Sequence, residues 1–487
     1  MKFKSSKYSN LSIYGTGIKF SDGDFETSDP DKINRLLVYC AENDHVKPIR
    51  ETPTYTPLVS IIMACYNAQD YIKTAIDSVK AQTYDKWELV IVNDASTDNT
   101  ADVIESETAD IKDRVQVHTY KRNGNPGRSR KKACQMANGD VFAIVDGDDA
   151  IKPEALELVC KTFAADPFAD IVYSTYYKCD KELIPKSTAK WTRQIDKTED
   201  CTKATYLTHL CAIKRRCYEL SPGYSAKFNR ATDKYLYYHL LRYGRARYID
   251  KPLYYYRRLY TTDQSNKGKR NNAMFQDAAR QREKGVSVVI PHKNRRKLLD
   301  RCLDSILKQN GKYEVIVVNE GKRINRKGVK CVQAKGYNSS KFRNIGAKEA
   351  KYATLLFIDG DIVMPEGFIN SIEERVRYNS PYFPIVKNEI PDDRCRGVYR
   401  VWGYGVIGIK SRDFWTVGGW DEYFKEWGGE DPAIHWKCKH AGMDIQRDKT
   451  ELVHLYHKTE VQLTPESIKK NKKRLADFKE EYICGRL

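Results

Sequence analysis

The sequence predicts an α/β fold in two tandem units, each built on a mainly parallel sheet. Three observations carry this expectation. Continuous apolar runs such as LVSIIMA and WELVIV, of the kind buried in parallel sheets, alternate with helical stretches in which Ile72, Ile76 and Val79 recur at helical spacing. The pattern occurs twice: VSIIMACYNAQDYIKTAIDSVKAQTYDKWELVIVND from Val59 has a counterpart in VSVVIPHKNRRKLLDRCLDSILKQNGKYEVIVVNE from Val286. Asp-Gly-Asp follows an apolar strand in each copy, as VFAIVDGDD with Asp146 and Asp148 and as TLLFIDGD with Asp359 and Asp361.

In chain order, residues 1–57 read as an extended N-terminal arm, because the first 56 balance eight Lys/Arg against eight Asp/Glu and include TPTYTP. Residues 58–280 form the first domain. The polar stretch QDAARQREKG, residues 276–285, ends in Gly just before the second copy and reads as the linker. Residues 284–460 form the second domain, and 461–487 a basic C-terminal helix with Thr464-Pro465-Glu466 supplying an N-cap and a proline in the first turn. Ser60 aligns with Ser287, Asn67 with Asn294, Gln82 with Gln309, Asn93 with Asn319 and Arg130 with Arg343. The common order and spacing point to an old duplication.

A chain of 487 residues holds two to four domains, and 41% hydrophobic with 31% charged residues is ordinary soluble composition. No apolar run approaches a membrane span and MKFKSSKYSN lacks an apolar signal core, so the expected location is the cytoplasm. Thirteen cysteines without a CxxC pair suggest neither a zinc ligand set nor a small disulfide framework and read as reduced, mostly buried thiols. A net charge of +19 calls for anionic partners: nucleotide-sugars, an acidic polysaccharide, an anionic membrane face at the inner leaflet, or nucleic acid. Basic residues cluster in KRNGNPGRSRKK and from Lys469 to Arg474, the latter as a solvated helix face or a membrane anchor. A nucleic-acid partner stays open, although no helix-turn-helix, RNP or zinc-finger signature is visible.

In parallel α/β sheets, ligands bind beyond the carboxyl ends of the strands, where Asn67, Asp94 and both Asp-Gly-Asp motifs fall. Two carboxylates at i and i+2 form a hard-oxygen site for Mn²⁺ or Mg²⁺ carried on a diphosphate. Asp-Gly is also a common turn dipeptide, but a bare turn does not explain its recurrence at equivalent positions.

With these motifs in view, both copies resemble family 2 glycosyltransferases of the GT-A fold, a Rossmann-like architecture: VSIIMACYN, VNDASTDNT and the strand ending in DGDD match the opening pattern over nearly all of residues 58–265. The resemblance implies that Asp94 reads the nucleoside, with Tyr66, Asn67, Arg130 and Asp146 around the nucleotide-sugar. In the second copy Asn294, Glu320, Arg343 and Asp359 take those places, and Asp148 and Asp361 hold the metal. Glu320 replaces the nucleoside-reading Asp. VGGWDEYFKEWGGEDPAIHWKCKHAG, residues 417–442, resembles the GGxDExFxxWGxED element of galactosyl- and N-acetylhexosaminyl-transferases. That likeness implies Asp431 as catalytic base, Glu430 gripping the acceptor and Trp427 as a sugar platform. In LVHLYHKTE the dipeptide Tyr456-His457 matches the family's metal-binding histidine, so His457 rather than His454 is the expected ligand.

The acceptor half of the first copy, from Thr208, resembles the hexuronic-acid-transferring domain of bacterial chondroitin and hyaluronan synthases and implies Asp233 as base, the alternative being a helix N-cap in NRATDKYLYY. Tyr235 stands where that family has a second carboxylate, and Tyr260 lies near the place of a histidine. The function implied is a bifunctional, metal-dependent, inverting transferase using UDP-sugars on an acidic glycan. The first domain would add a uronic acid or hexose, and the second an N-acetylhexosamine or galactose, to an alternating glycosaminoglycan-like polymer. The alternatives are another acceptor (lipopolysaccharide, protein or DNA), or one active domain beside a glycan-binding one.

Overall fold

The computed structural model describes residues 2–5, 12–13, 18–19, 24–26, 46–49, 55–259, 262–388, 399–400, 405–422, 424, 429–455 and 473–479. Two α/β sheets dominate it. In the first, Val115–Thr119, Trp87–Asn93, Val59–Cys65 and Val141–Ile144 run side by side in parallel, and Cys211–Lys214 joins antiparallel. Ala169–Cys179, Arg245–Arg257 and Ala150–Ile151 extend it further. In the second, Val329–Gln333, Tyr313–Glu320, Val286–Lys293 and Thr354–Phe357 are parallel, and Ile407–Lys410 joins antiparallel. The two sheets therefore share strand order and sense over five strands. The reversal beside each Asp-Gly-Asp strand was not legible, because a run such as CAIK is apolar whichever way it points.

The same local devices hold both sheets. The helix Ile72–Lys80 turns Ile72, Ala75, Ile76 and Val79 inward, and Arg296–Leu307 does so with Leu299, Cys302, Leu303 and Ile306. Ser60 Oγ donates to Glu88 at 2.6 Å, as Ser287 Oγ does to Glu314 at 2.6 Å. Gln82 Nε2 donates to the Ser78 and Lys152 carbonyls, and Gln309 Nε2 to those of Ser305 and Pro365. Asn125 and Asn338 each cap the helix that carries the paired arginine, Arg130 or Arg343.

The stretch read as a linker is the end of a helix, Thr262–Glu283. Phe275 and Ala279, four residues apart in a mostly polar segment, are buried in the core of the first half, and two buried positions are too few to betray a helix by periodicity. Residues 58–159 and 168–487 form one compact unit, so the two sheets are joined by more than that helix. Arg242 Nη2 donates to the carbonyls of Tyr352 at 2.7 Å and Ala350 at 3.2 Å, and Arg245 to Asn379 Oδ1 at 3.0 Å and the Ala441 carbonyl at 3.2 Å.

Residues 1–57 with 160–167 form a second, small unit. In place of a bare extended arm, its described strands Lys2–Ser5, Asp24–Glu26 and Val46–Ile49 pair antiparallel in one sheet, and Ser12–Ile13 pairs with Ile18–Lys19. Among the described residues no helix is long and apolar enough to cross a membrane, and no described cysteine forms a disulfide.

Candidate functional sites

The first site gathers at the carboxyl ends of the parallel strands. Tyr66 follows Val59–Cys65 and is 50% exposed at the rim. Asn67, in the left-handed region at φ 48°, accepts from Thr97 N–H at 2.9 Å and donates its own N–H to Ser96 Oγ at 2.9 Å, tying the first strand's loop to the second's. Asp94, at the end of Trp87–Asn93, is buried; it accepts from Arg128 Nη2 at 2.6 Å and from Gly124 N–H at 3.1 Å. Arg128 itself lies on the Tyr120 ring, 3.8 Å from its centroid. The expected nucleoside reader is thus held by a partner that the sequence grouped only with the basic cluster.

Asp146-Gly147-Asp148 follows Val141–Ile144. A Cβ on Gly147 would stand 2.8 Å from Cys65 Cβ, so the turn needs glycine to pass the neighbouring strand. Burial would raise the Asp146 carboxyl, but Arg130, donating to it at 2.5 Å, holds it below the ordinary range. Burial and then the Asp146 charge push Asp148 up to about 6. Asp149, which the sequence left unassigned, locks the turn: it accepts from Tyr254 O–H at 2.8 Å and Arg257 N–H at 2.7 Å, while the Tyr254 hydroxyl accepts from Asp146 N–H at 3.1 Å.

Arg130 also donates to Thr232 Oγ1 at 2.7 Å. Thr232 opens the helix Thr232–Leu240, whose cap is Ala231, so Asp233 is its second residue and not the N-cap weighed from the sequence. Tyr235 turns into the Phe228 and Phe275 rings, at centroid distances of 5.3 Å each. A substitution there acts on helix packing. Tyr260 lies outside the described residues.

The second site repeats the plan with a different charge balance. Asn294 is again left-handed, φ 62°. Glu320, ending Tyr313–Glu320, pairs with Lys293 at 3.2 Å, and that bond holds its carboxyl below the ordinary range. Arg343 is 2% exposed, donates to Asp359 at 2.6 Å and stands 3.8 Å from Asp431. Asp431 accepts from Gly405 N–H at 2.9 Å, and Gly405, at φ 64°, could not carry a Cβ, which would fall 2.0 Å from Arg343 Nη2. Glu430 and Asp431 open the helix Glu430–His440, where its dipole favours acids; Glu430 is buried, with Ser339 Oγ at 3.5 Å. Arg130 serves one carboxylate and a neutral hydroxyl, whereas Arg343 is shared by two carboxylates. Accordingly burial, only partly offset by Arg343, leaves both Asp359 and Asp431 above the ordinary range.

Both arginines, expected beside the nucleotide-sugar, are spent inside the protein. Each ties the first carboxylate of Asp-Gly-Asp to the start of the helix that carries the expected base. Asp361 lies 3.5 Å from Arg295 and 3.7 Å from His454 Nε2, and its carbonyl accepts from Leu455 N–H at 2.8 Å. Trp427 and His457 lie outside the described residues, so the histidine found at this carboxylate is His454.

The residues suit a divalent cation shared with a substrate. Asp148 is a hard-oxygen donor that enters into no ion pair among the described residues, and its raised titration marks a negative charge short of compensation. Among the described residues no group of three metal-ligating side chains occurs, which fits an ion that completes its shell with phosphate oxygens and water.

Comparison with known proteins bears on both segments. Residues 60–219 and 287–438 each match the family described as "Glycosyl transferase family 2". Chondroitin synthase of Pasteurella multocida (strain Pm70) is 32% identical over 200 residues, 41% of this chain and 20% of that protein, and hyaluronan synthase of Pasteurella multocida matches to the same extent. The matched stretch is thus a fifth of either relative. Among solved structures, S. aureus TarS gives a TM-score of 0.37 at 19% identity, covering 45% of this chain and 42% of that one.

Proposed function

The chain belongs to glycosyl transferase family 2, and from that premise we propose that it is a bifunctional, inverting glycosyltransferase that uses UDP-sugars with Mn²⁺ or Mg²⁺. Its product is an alternating, glycosaminoglycan-like polysaccharide. Site one adds a uronic acid or hexose and site two an N-acetylhexosamine or galactose. The observation that carries this reading is the doubled arginine bridge: Arg130 from Asp146 to Thr232 beside Asp233, and Arg343 from Asp359 to Asp431.

In this reading Asp233 and Asp431 take the proton of the acceptor hydroxyl as it attacks the sugar carbon opposite the departing diphosphate, which inverts the anomeric centre. Burial and then the Glu430 charge raise the Asp431 carboxyl, which makes its ionised form a stronger base than an ordinary aspartate. Arg130 and Arg343 fix the distance between each donor-side carboxylate and its base. Asp148 and Asp361 would hold the metal, whose chemistry is to stabilise the charge on the leaving diphosphate. The +19 net charge supports an acidic acceptor.

The test is UDP release from a panel of UDP-sugars incubated with the full chain and Mn²⁺, with EDTA as control. The reading predicts that two UDP-sugars, one from each class, are consumed in the presence of a glycan acceptor and that EDTA stops both. Release from none of them, or release indifferent to EDTA, would overturn it.

A further inference from the structure

Trp191 is exposed and yet firmly placed. It is 43% exposed, and Lys234, the residue after Asp233, sets its ammonium 5.5 Å from the ring centroid. That ammonium is fixed in turn by the carbonyls of Leu207 at 2.5 Å and Thr205 at 3.3 Å. On either side of Trp191 the chain is pinned. The Ala189 carbonyl accepts from Thr175 Oγ1 at 2.8 Å, Ala189 N–H donates to the Tyr176 carbonyl at 3.0 Å, and Thr192 and Thr208 hydroxyls meet at 3.4 Å.

The strands to which it is pinned are themselves stiffened by rings. His209 stacks on Tyr254 at 4.8 Å and on Tyr256 at 5.6 Å, and meets Tyr176 edge-on at 6.0 Å. Burial, and then the Asp233 charge, push the Tyr176 hydroxyl above its ordinary range, which puts this wall in the field of the expected base.

Position within the sheet separates Trp191 from the nucleotide end. Asn67 and Asp94 follow the strands on one side of the Asp-Gly-Asp strand Val141–Ile144; the strand Ala169–Cys179, which anchors Ala189, lies on the other. Trp191 is thus fixed in place while its ring stays open to solvent and to a ligand. An aromatic face of this kind stacks on the C–H face of a pyranose ring.

We propose that Trp191 is the acceptor platform of the first site, stacking a pyranose ring of the glycan whose hydroxyl Asp233 deprotonates. The inference rests on the first site being a glycosyltransferase site. It is tested on the full chain with Trp191→Ala and Trp191→Phe, using chondroitin and hyaluronan oligosaccharides as probes. Trp191→Ala should raise the acceptor KM of first-site transfer about tenfold with no matching change in donor KM, and Trp191→Phe should recover most of it. Oligosaccharide alone should quench tryptophan fluorescence in the wild type and leave Trp191→Phe unquenched. An unchanged acceptor KM together with an identical quench in Trp191→Phe would overturn the platform. The quench needs no transfer, so the two ideas fail separately: a Trp191-dependent quench without first-site transfer refutes only the catalytic reading of that site.

Discussion

Replacing Arg343 with Met keeps the apolar stem of the side chain but removes the guanidinium, which lies between Asp359 and Asp431 with its carbon 4.3 Å from the Trp420 ring centroid. Deleting one partner of a wholly buried pair costs about 3–5 kcal/mol. Arg343 is wholly buried, but the Asp359 and Asp431 side chains remain 33% and 29% exposed, so water screens part of the loss. The expected cost is therefore about 2–3 kcal/mol, or about 2–3 °C in Tm for a cooperative unit of this size. Its pH dependence is more diagnostic than its size. Both carboxyls already titrate above the ordinary range, mainly through burial. A carboxyl raised in the folded state holds more protons there than in the unfolded chain, so stability falls as pH rises through its folded value. Removing Arg343 raises both further, so the deficit of Arg343→Met should be larger at neutral pH than in acid near the ordinary carboxylate range. Thermal and urea unfolding at both pH values read this directly. A deficit below about 1 kcal/mol, or one that does not change with pH, would refute the shared-arginine account.

Two further outcomes follow from the local chemistry. Glu88 accepts hydrogen bonds from Ser60, Asn138 and Gln116, which outweigh the effect of burial and hold its carboxyl below the ordinary range. Its stabilisation is complete above the unfolded value of about 4.3 and is lost as pH falls through the lower folded value, so Glu88→Gln should cost about 1–3 kcal/mol at neutral pH and converge with the wild type in acid. Because Asp148 titrates at about 6 without a cation, a proton competes with the metal there. The first site's Mn²⁺ affinity, measured calorimetrically against Asp148→Asn, should weaken about tenfold per pH unit below that value; a flat affinity over that range would count against Asp148 as ligand.

The sequence made the parallel strands, the Ile72 helix and the positions of both Asp-Gly-Asp motifs legible, because each is written in a local period or a strand-turn junction. It paired Arg130 with Arg343 but not with their partners on the base-bearing helices, since the contacts with Thr232 and Asp431 join residues 102 and 88 positions apart, which no local pattern records. Arg128 looked like one more basic residue until the fold brought Asp94 against it. Asp149, Tyr254 and His209 were missed for the same reason: a buried tyrosine in LYYYRR and a lone histidine before CAIK resemble core residues. A signal for Asp149 was present in the third acid of DGDD, which a two-ligand motif does not require. The Thr262–Glu283 helix was hidden by its polar composition, and the contacts of Arg242 and Arg245 that join the two halves, mostly to backbone carbonyls, leave no trace in composition.

The central claim is that the chain has two separate transferase sites of unequal chemistry, and crossed substitution of the two motifs tests it most directly. Asp148→Asn and Asp361→Asn, each supplied in turn with the two UDP-sugars that the wild type consumes, are scored for single-sugar addition to an acceptor. The account predicts that Asp148→Asn loses one addition and keeps the other, while Asp361→Asn does the reverse. If Asp148→Asn changes neither addition, or both variants lose the same one, the two-site account is contradicted.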